Sequence, residues 1–327
     1  MNNIVITTIN PLNDNIKQFT KVPNFKTIIV GDDKSTIYHY KDLIFLSLDD
    51  QLDLKYRSIS TTPENHYSRK NIGYLYAMVN GAEVIYESDD DTFINNDNFL
   101  KDFKFECNNK INSSSSIINI YKLFTKENIW HRGFDITKIN ENIDYKEERY
   151  SSSIGVWQGL INRDTDVDAI YRLTNKKVDI KFDEGKEISL NMGLYSPFNT
   201  QNTLWRKECF PLMYLPMSVN FRFTDILRGY VAQRIMWEYG YNLGFHSPDT
   251  YQIRNKHDYL KDFKDEMSMY LIVPRLIDIL NNVKLSGISM TTDLCLVYHK
   301  LFDEDIVSKY ELLSIKNWVM DLNYLLK

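Results

Sequence analysis

Four short, mostly apolar runs in the first ninety residues constrain this chain more than any other feature. They are Asn3–Thr8 (NIVITT), Lys26–Val30 (KTIIV), Asp42–Leu48 (DLIFLSL) and Glu83–Tyr86 (EVIY). Runs this short, apolar and β-branched suit parallel strands covered on both faces. Between the third and fourth, Ile72, Leu75, Tyr76 and Val79 recur at i, i+3, i+4 and i+7, which predicts a helix over 68–80. Gly81 follows as a left-handed C-cap. Strand–helix–strand alternation predicts an α/β layered fold.

The fourth run ends in Asp89-Asp90-Asp91. In an open α/β sheet, ligands bind beyond the carboxyl ends of the strands, where this triplet lies. Carboxylates at i and i+2 can hold a hard divalent cation that also takes phosphate oxygens. That cation would relieve their repulsion and offset the charge of a diphosphate leaving group. The plain alternative is an acidic turn near a helix N-terminus. Two other acidic motifs are excluded by their letters. A phosphatase-type D-x-D needs Thr two residues on, where Phe93 stands, and the register with Thr92 begins at Ser88. Asp164–Asp168 opens like an EF-hand loop but has Ala169 and Asn175 where Gly and Glu are required. It stays a weaker candidate for metal or substrate contact.

Length and charge set the bounds. The 327 residues suffice for one large or two modest domains. A net charge of −5 argues against a general nucleic-acid binder. Cys107, Cys209 and Cys295 are widely spaced and odd in number, which fits neither a zinc site nor a disulfide framework. MNNIVITTINP lacks a secretory pattern, and no apolar run is long enough to span a bilayer, so the expectation is a cytoplasmic chain with no transmembrane segment.

Further along, Asn108–Ser116 reads as a polar loop, 117–121 as strand-like, and 137–154 as charged surface loop. Thr224–Tyr239 reads as a helix with Thr224 as N-cap and Gly240 as its stop. From about Tyr259 the pattern is helical almost to the end, broken at Gly287.

Five stretches carry a resemblance. IIVGDDKST (28–36), YSRKNIGYLYAMVNGAEVIYESDDD (67–91), QGLINRDTDVDAIYRLT (158–174), PFNTQNTLWRKECFPLMYLP (197–216) and FRFTDILRGYVAQRIMWEYG (221–240) resemble, in order, the STELLO-type glycosyltransferase family, whose members are similar to GT-A nucleotide-sugar transferases. The resemblance implies a GT-A-like α/β domain over 1–250. It would comprise a Rossmann-type nucleotide-binding half (about 1–105) with a mixed central sheet, and an acceptor half (about 106–250). A helical C-terminal segment over 251–327 has no counterpart in these stretches. Family members carry a membrane anchor and extra domains that this chain is expected to lack.

The resemblance implies Mn2+ or Mg2+ held by Asp89 and Asp91, with Asp90 in a supporting, nucleotide-side role. Asp32 and Asp33 end the second strand, where an acid can bind ribose or base, or simply make a turn. Thr7 ends the first strand near the base. Arg69 and Lys70 open the 68–80 helix, against its dipole, and are expected at phosphate or base. Asp225 is either a dipole-complementing acid or the general base that deprotonates an acceptor hydroxyl. Arg228 and Trp205 are candidates for acceptor or phosphate. His246, a late histidine, is the candidate third metal ligand, with His257 a poorer one. The function implied is metal-dependent transfer of a sugar, UDP-linked in the first instance, to a carbohydrate or glycoconjugate hydroxyl in glycan or surface-polysaccharide synthesis. The alternatives are a sugar-nucleotide mutase and a silent scaffold on the same fold. The C-terminal apolar face of Leu271, Val273, Leu276, Ile277 and Leu280 either packs on the core or supports a homo-oligomer.

Overall fold

The computed structural model describes all residues except 97–98, 102, 176–178, 255–257 and 326–327. The four apolar runs become parallel strands. They are β1 (Asn2–Thr7), β2 (Phe25–Val30), β3 (Leu43–Leu46) and β4 (Val84–Asp89), in the spatial order β3-β2-β1-β4. Helices α1 (Asp14–Phe19), α2 (Leu48–Asp53) and α3 (Lys70–Val79) connect them. A 3-10 turn over Tyr67–Arg69 precedes α3. Ile72 and Leu75 of α3 are buried as its spacing requires, while Val79 is exposed. Gly81 takes the left-handed conformation, φ 79°.

The sheet continues as a mixed one. Its further strands are β5 (Thr92–Ile94), β6 (Glu106–Asn112), β7 (Lys146–Arg163), β8 (Glu187–Leu190), β9 (Asn202–Arg206) and β10 (Asn242–Gln252). β9 runs antiparallel between β4 and β7 and stitches the two halves together. Helices α4 (Ala169–Thr174) and α5 (Phe221–Glu238) cross the second half. The expected loops at 108–116 and 137–154 are in part the paired strands β6 and β7, and of the expected strand at 117–121 only a bridge from Ile117 to Tyr195 forms, with a 3-10 turn starting at Ile120. Along Lys146–Ser151 the side chains stay in water while the backbone is satisfied by pairing, so polarity alone hides the strand. α5 begins three residues earlier than expected. Its cap is Asn220, whose side chain accepts the Arg222 amide, and Thr224 lies inside the helix.

Three helices close the chain, α6 (Tyr259–Asn281), α7 (Met290–Asp303) and α8 (Lys309–Leu325), with Gly287 between the first two at φ 65°. They are built into the main core. Val273, Leu276, Ile277 and Leu280 are buried within this chain, and only Leu271 of that expected interface faces water. Glu311 of α8 is fully buried and accepts from Tyr214 Oη (2.5 Å) and the Met217 and Ser218 amides (2.9 and 2.7 Å). Among the described residues no helix is long and apolar enough to cross a membrane.

Candidate functional site

The parallel strands end together, and a cavity of about 880 Å3 opens beyond them. The register pairs Thr7 of β1 with Asp89 of β4, so the loop after β1 meets the acidic triplet. Thr7, Asp32, Arg69, Asp89, Asp90, Asp91 and Asp225 all line this cavity. Residues far apart in sequence are thus gathered as a parallel sheet gathers them.

Each member of the triplet is held differently. Asp89 Oδ1 accepts from Tyr67 Oη (2.7 Å) and from the fully buried ammonium of Lys70 (3.1 Å). Lys70 Nζ also donates to Tyr67 Oη (2.9 Å) and to the Ser88 carbonyl (2.7 Å), so it serves Asp89 and does not itself line the cavity. Asp90 is tied to the loop after β1. Its carboxylate accepts from Thr8 Oγ1 and Asn10 Nδ2 (2.8 Å), and its carbonyl from the Asn13 and Asn15 side chains. Asp91 Oδ2 accepts from Gln252 Nε2 (2.8 Å), but its Oδ1 is buried with no partner. Burial first, then the neighbouring Asp89, pushes the Asp91 carboxyl up to about 7.

Asp32 lines the cavity but is already an acceptor. Its oxygens take the amides of Asp33, Asn65 and His66 (2.8, 2.8 and 3.2 Å), which ties the turn after β2 to the segment before α3. Asp33 stands outside the cavity, exposed. Arg69 reaches the wall with its guanidinium anchored on Gln51 Oε1 (2.9 Å) and the Thr62 carbonyl (3.3 Å).

Asp225 faces the cavity from the second turn of α5, whose first turn holds no acid. Arg132 grips both of its oxygens and also both oxygens of Asp166 (each 3.0 Å). The Asp164–Asp168 cluster is thereby explained by separate duties. Asp166 joins the cavity wall, Asp164 pairs with Arg172 (3.4 Å), and Asp168 caps α4 while accepting from Trp130 Nε1 (2.6 Å).

Beyond Lys70 and Asp33, three further expected residues are placed elsewhere. Arg228 is enclosed, paired with Glu87 (2.8 Å) and lying over the ring of Trp205, whose Nε1 also donates to Glu87 (2.8 Å). Neither side chain reaches the cavity, because a charge fully out of water needs its partner and Glu87 is that partner. His246 lines a different cavity and does not join Asp89 and Asp91. His257 lies outside the described residues.

The cavity also holds cations that patterning did not single out. Arg132, Arg222, Arg254 and Lys261 face the triplet from the second half. Arg222 is paired with buried Glu266 (2.5 Å). Arg254 Nη1 is buried without a partner, and burial together with nearby Arg172 and Arg222 pushes that guanidinium down to about 10. An anion between the triplet and Arg254 would satisfy it. Gln252 and Arg254 stand one residue apart on either side of Ile253 at the end of β10, which is the only local signal that they act together. Among the described residues no three His, Cys, Asp or Glu side chains form a closed metal cage. Asp89 and Asp91 form an open pair, and the unsatisfied oxygen of Asp91 fits a cation that completes its shell with substrate.

Residues 222–326 match the family described as STELLO glycosyltransferases. That span includes α6, α7 and α8, so the helical C-terminus, which had no counterpart in the sequence reading, falls inside the family match. The chain is 29% identical over 297 residues to the probable glycosyltransferase STELLO2 of Arabidopsis thaliana, covering 85% of this chain and 39% of that protein. It is 28% identical over 342 aligned positions to the probable glycosyltransferase STELLO1 of the same plant, covering 98% of this chain and 44% of that one. The chain thus spans less than half the length of the curated relatives it matches.

Proposed function

We propose, from the similarity to the probable glycosyltransferases STELLO1 and STELLO2, a metal-dependent glycosyltransferase that moves a sugar from a nucleoside diphosphate sugar, UDP-linked in the first instance, to a hydroxyl acceptor in glycan or surface-polysaccharide synthesis. The observation that carries the reading is the buried, partnerless Oδ1 of Asp91 beside Asp89, with the partnerless Nη1 of Arg254 in the lining of the same cavity. The first asks for a cation and the second for an anion. A metal-bound diphosphate supplies both.

Asp89 and Asp91 would hold Mn2+ or Mg2+, which when bound neutralises charge on the departing diphosphate. The chain's own residues do the rest. Lys70 and Tyr67 fix the Asp89 carboxylate, leaving Oδ2 for the ion. Arg254 binds the diphosphate and stabilises the charge that grows on it as the glycosidic bond breaks. Asp90 and Asp32 hold the loops after β1 and β2 that border the nucleotide. Asp225 takes the acceptor hydroxyl's proton, with Arg132 orienting its carboxylate.

The test is calorimetric titration with UDP and with GDP, with and without Mn2+, on wild type, Asp89→Asn/Asp91→Asn and Asp225→Asn. The expected result is Mn2+-dependent binding of one nucleotide, lost in the double variant and kept in Asp225→Asn, which loses transfer alone. No binding of either nucleotide by folded wild type would overturn the reading and favour a silent scaffold. Products formed from a nucleotide sugar without any acceptor would separate a mutase from a transferase.

A further inference from the structure

A second cavity, about 1050 Å3, is separate from the triplet, and its floor is built from β4, β9 and β10. Neighbouring residues Gln201 and Asn202 line the two cavities, Gln201 that of the triplet and Asn202 this one. The floor is an ordered polar network. Asn202 Nδ2 donates to Asp249 Oδ1 (2.7 Å) and Thr250 Oγ1 (2.9 Å), and Asn202 Oδ1 accepts from Tyr86 Oη (3.1 Å). His246 Nδ1 lies 2.8 Å from the Ser247 carbonyl, which can only accept. In the neutral ring the proton is therefore on Nδ1 and Nε2 is an acceptor. Gly159 makes room for this convergence. A Cβ there would stand 2.2 Å from Asn202 Nδ2 and 2.6 Å from His246 Cε1.

The chemistry of the walls narrows the ligand. Asp249, His246 Nε2 and Glu187 present acceptors and Asn108 and Asn109 present amides, so the ligand must both donate and accept, as a hydroxyl does. The lining carries five carboxylates, Glu106, Glu147, Glu148, Glu187 and Asp249, against the three cations Lys101, Lys104 and Arg149, and this negative balance disfavours an anion. Among the described residues no three His, Cys, Asp or Glu side chains converge on a cation. A wholly apolar ligand would shut water from the Asp249 carboxylate while offering it no donor of its own. Aromatic surface is also present, with Trp157 in the wall and Tyr150, 65% exposed, at the rim. Many hydroxyl donors together with apolar C–H faces define a sugar.

We propose that this cavity binds a neutral saccharide segment, at a site distinct from the one that holds the triplet. Hydroxyls donate to Asp249, Glu187 and His246 Nε2, and a ring face lies on Tyr150. This assignment rests on the cavity alone and stands or falls independently of the transferase reading.

The experiment is calorimetric titration of the full chain with cellotetraose, xylotetraose and mannotetraose as neutral probes. Tetragalacturonate and MnCl2 are the charged ones. Wild type, Tyr150→Ala, Asp249→Ala and His246→Ala are compared, with circular dichroism confirming their fold. The expected result is saturable binding of at least one neutral tetrasaccharide. Asp249→Ala weakens it about tenfold, the weight of one hydrogen bond to a charged group. Tyr150→Ala, an exposed rim change that leaves the core intact, weakens it several-fold. The proposal is overturned by no saturable binding of any neutral probe to folded wild type. It is equally overturned by binding that Tyr150→Ala leaves unchanged, by preference for tetragalacturonate, or by a Mn2+ site that His246→Ala removes.

Discussion

Arg132 holds Asp225 in a two-pronged ion pair, Nη1 to Oδ1 at 3.0 Å and Nη2 to Oδ2 at 2.8 Å, and it holds Asp166 as well. One guanidinium therefore balances two buried carboxylates from separate elements, at the edge of the candidate donor cavity.

Removing that guanidinium leaves both carboxylates buried without their cation. Arg132→Ala is expected to destabilise the fold by about 3–5 kcal/mol. Arg132→Lys recovers only part, because an ammonium cannot reproduce the fork. Urea unfolding of the three proteins checks this, and an Arg132→Ala midpoint equal to wild type would contradict it.

Asp91 should set a pH dependence. Its carboxyl is pushed up to about 7 by burial and by Asp89, whereas an unfolded aspartate titrates near ~3.9. Between those values the folded chain keeps a proton that the unfolded chain has lost. Stability therefore falls as pH rises through that window. In EDTA, wild type is expected to lose stability relative to Asp91→Asn from about pH 5 to about pH 7. Added Mn2+ should restore most at the upper end, where the ligand is ionised. Parallel unfolding midpoints for the two proteins across that range would rule this out.

Gly73 sets how closely α3 lies on the sheet behind the cavity. A Cβ there would come within 2.4 Å of Val30 Cγ2 and 2.7 Å of Val5 Cγ1. Gly73→Ala is expected to cost about 1–3 kcal/mol by overpacking. Because Tyr67 and Lys70 enter α3 just ahead of it, nucleotide affinity should fall too. Thermal unfolding with a parallel nucleotide titration measures both.

The C-terminal helices should not be separable from the rest. Glu311→Ala orphans the Tyr214 hydroxyl and the Met217 and Ser218 amides, at an expected cost of about 3 kcal/mol or more. Asp321 likewise accepts the Arg57 and Ser58 amides, 2.9 and 2.8 Å. Deleting residues from Lys309 onward is expected to give aggregated protein. A soluble, cooperatively unfolding truncation would show the opposite.

Asp89 and Asp91 could be singled out before any coordinates, because a strand end places side chains by a local rule, whereas Asp225, singled out as an acid at a helix start, stands in the second turn of α5. The parallel β1, β2, β3 and β4, the helix α3 and the helical C-terminus were legible for the same reason: burial on two faces or on one stripe imposes a period on the letters. β6 and the first half of β7 were not legible. Their stability comes from pairing with each other, and their solvated side chains carry no period that separates strand from loop.

What the sequence by itself determined is the layered α/β pattern and the placing of three carboxylates at a strand end. What only the tertiary structure decided is which charge meets which. Arg228 and Trp205 carry the composition of a ligand site, yet Glu87 takes both into the core. His246 sits on the strand that delivers Gln252 and Arg254 to the triplet, but it opens onto the other cavity. Arg254 shows nothing in the letters beyond its spacing from Gln252, and it matters because its neighbours leave one buried donor without a partner. Charge pairing in a dry interior is settled by distances between elements far apart in the chain, and no local period encodes those distances.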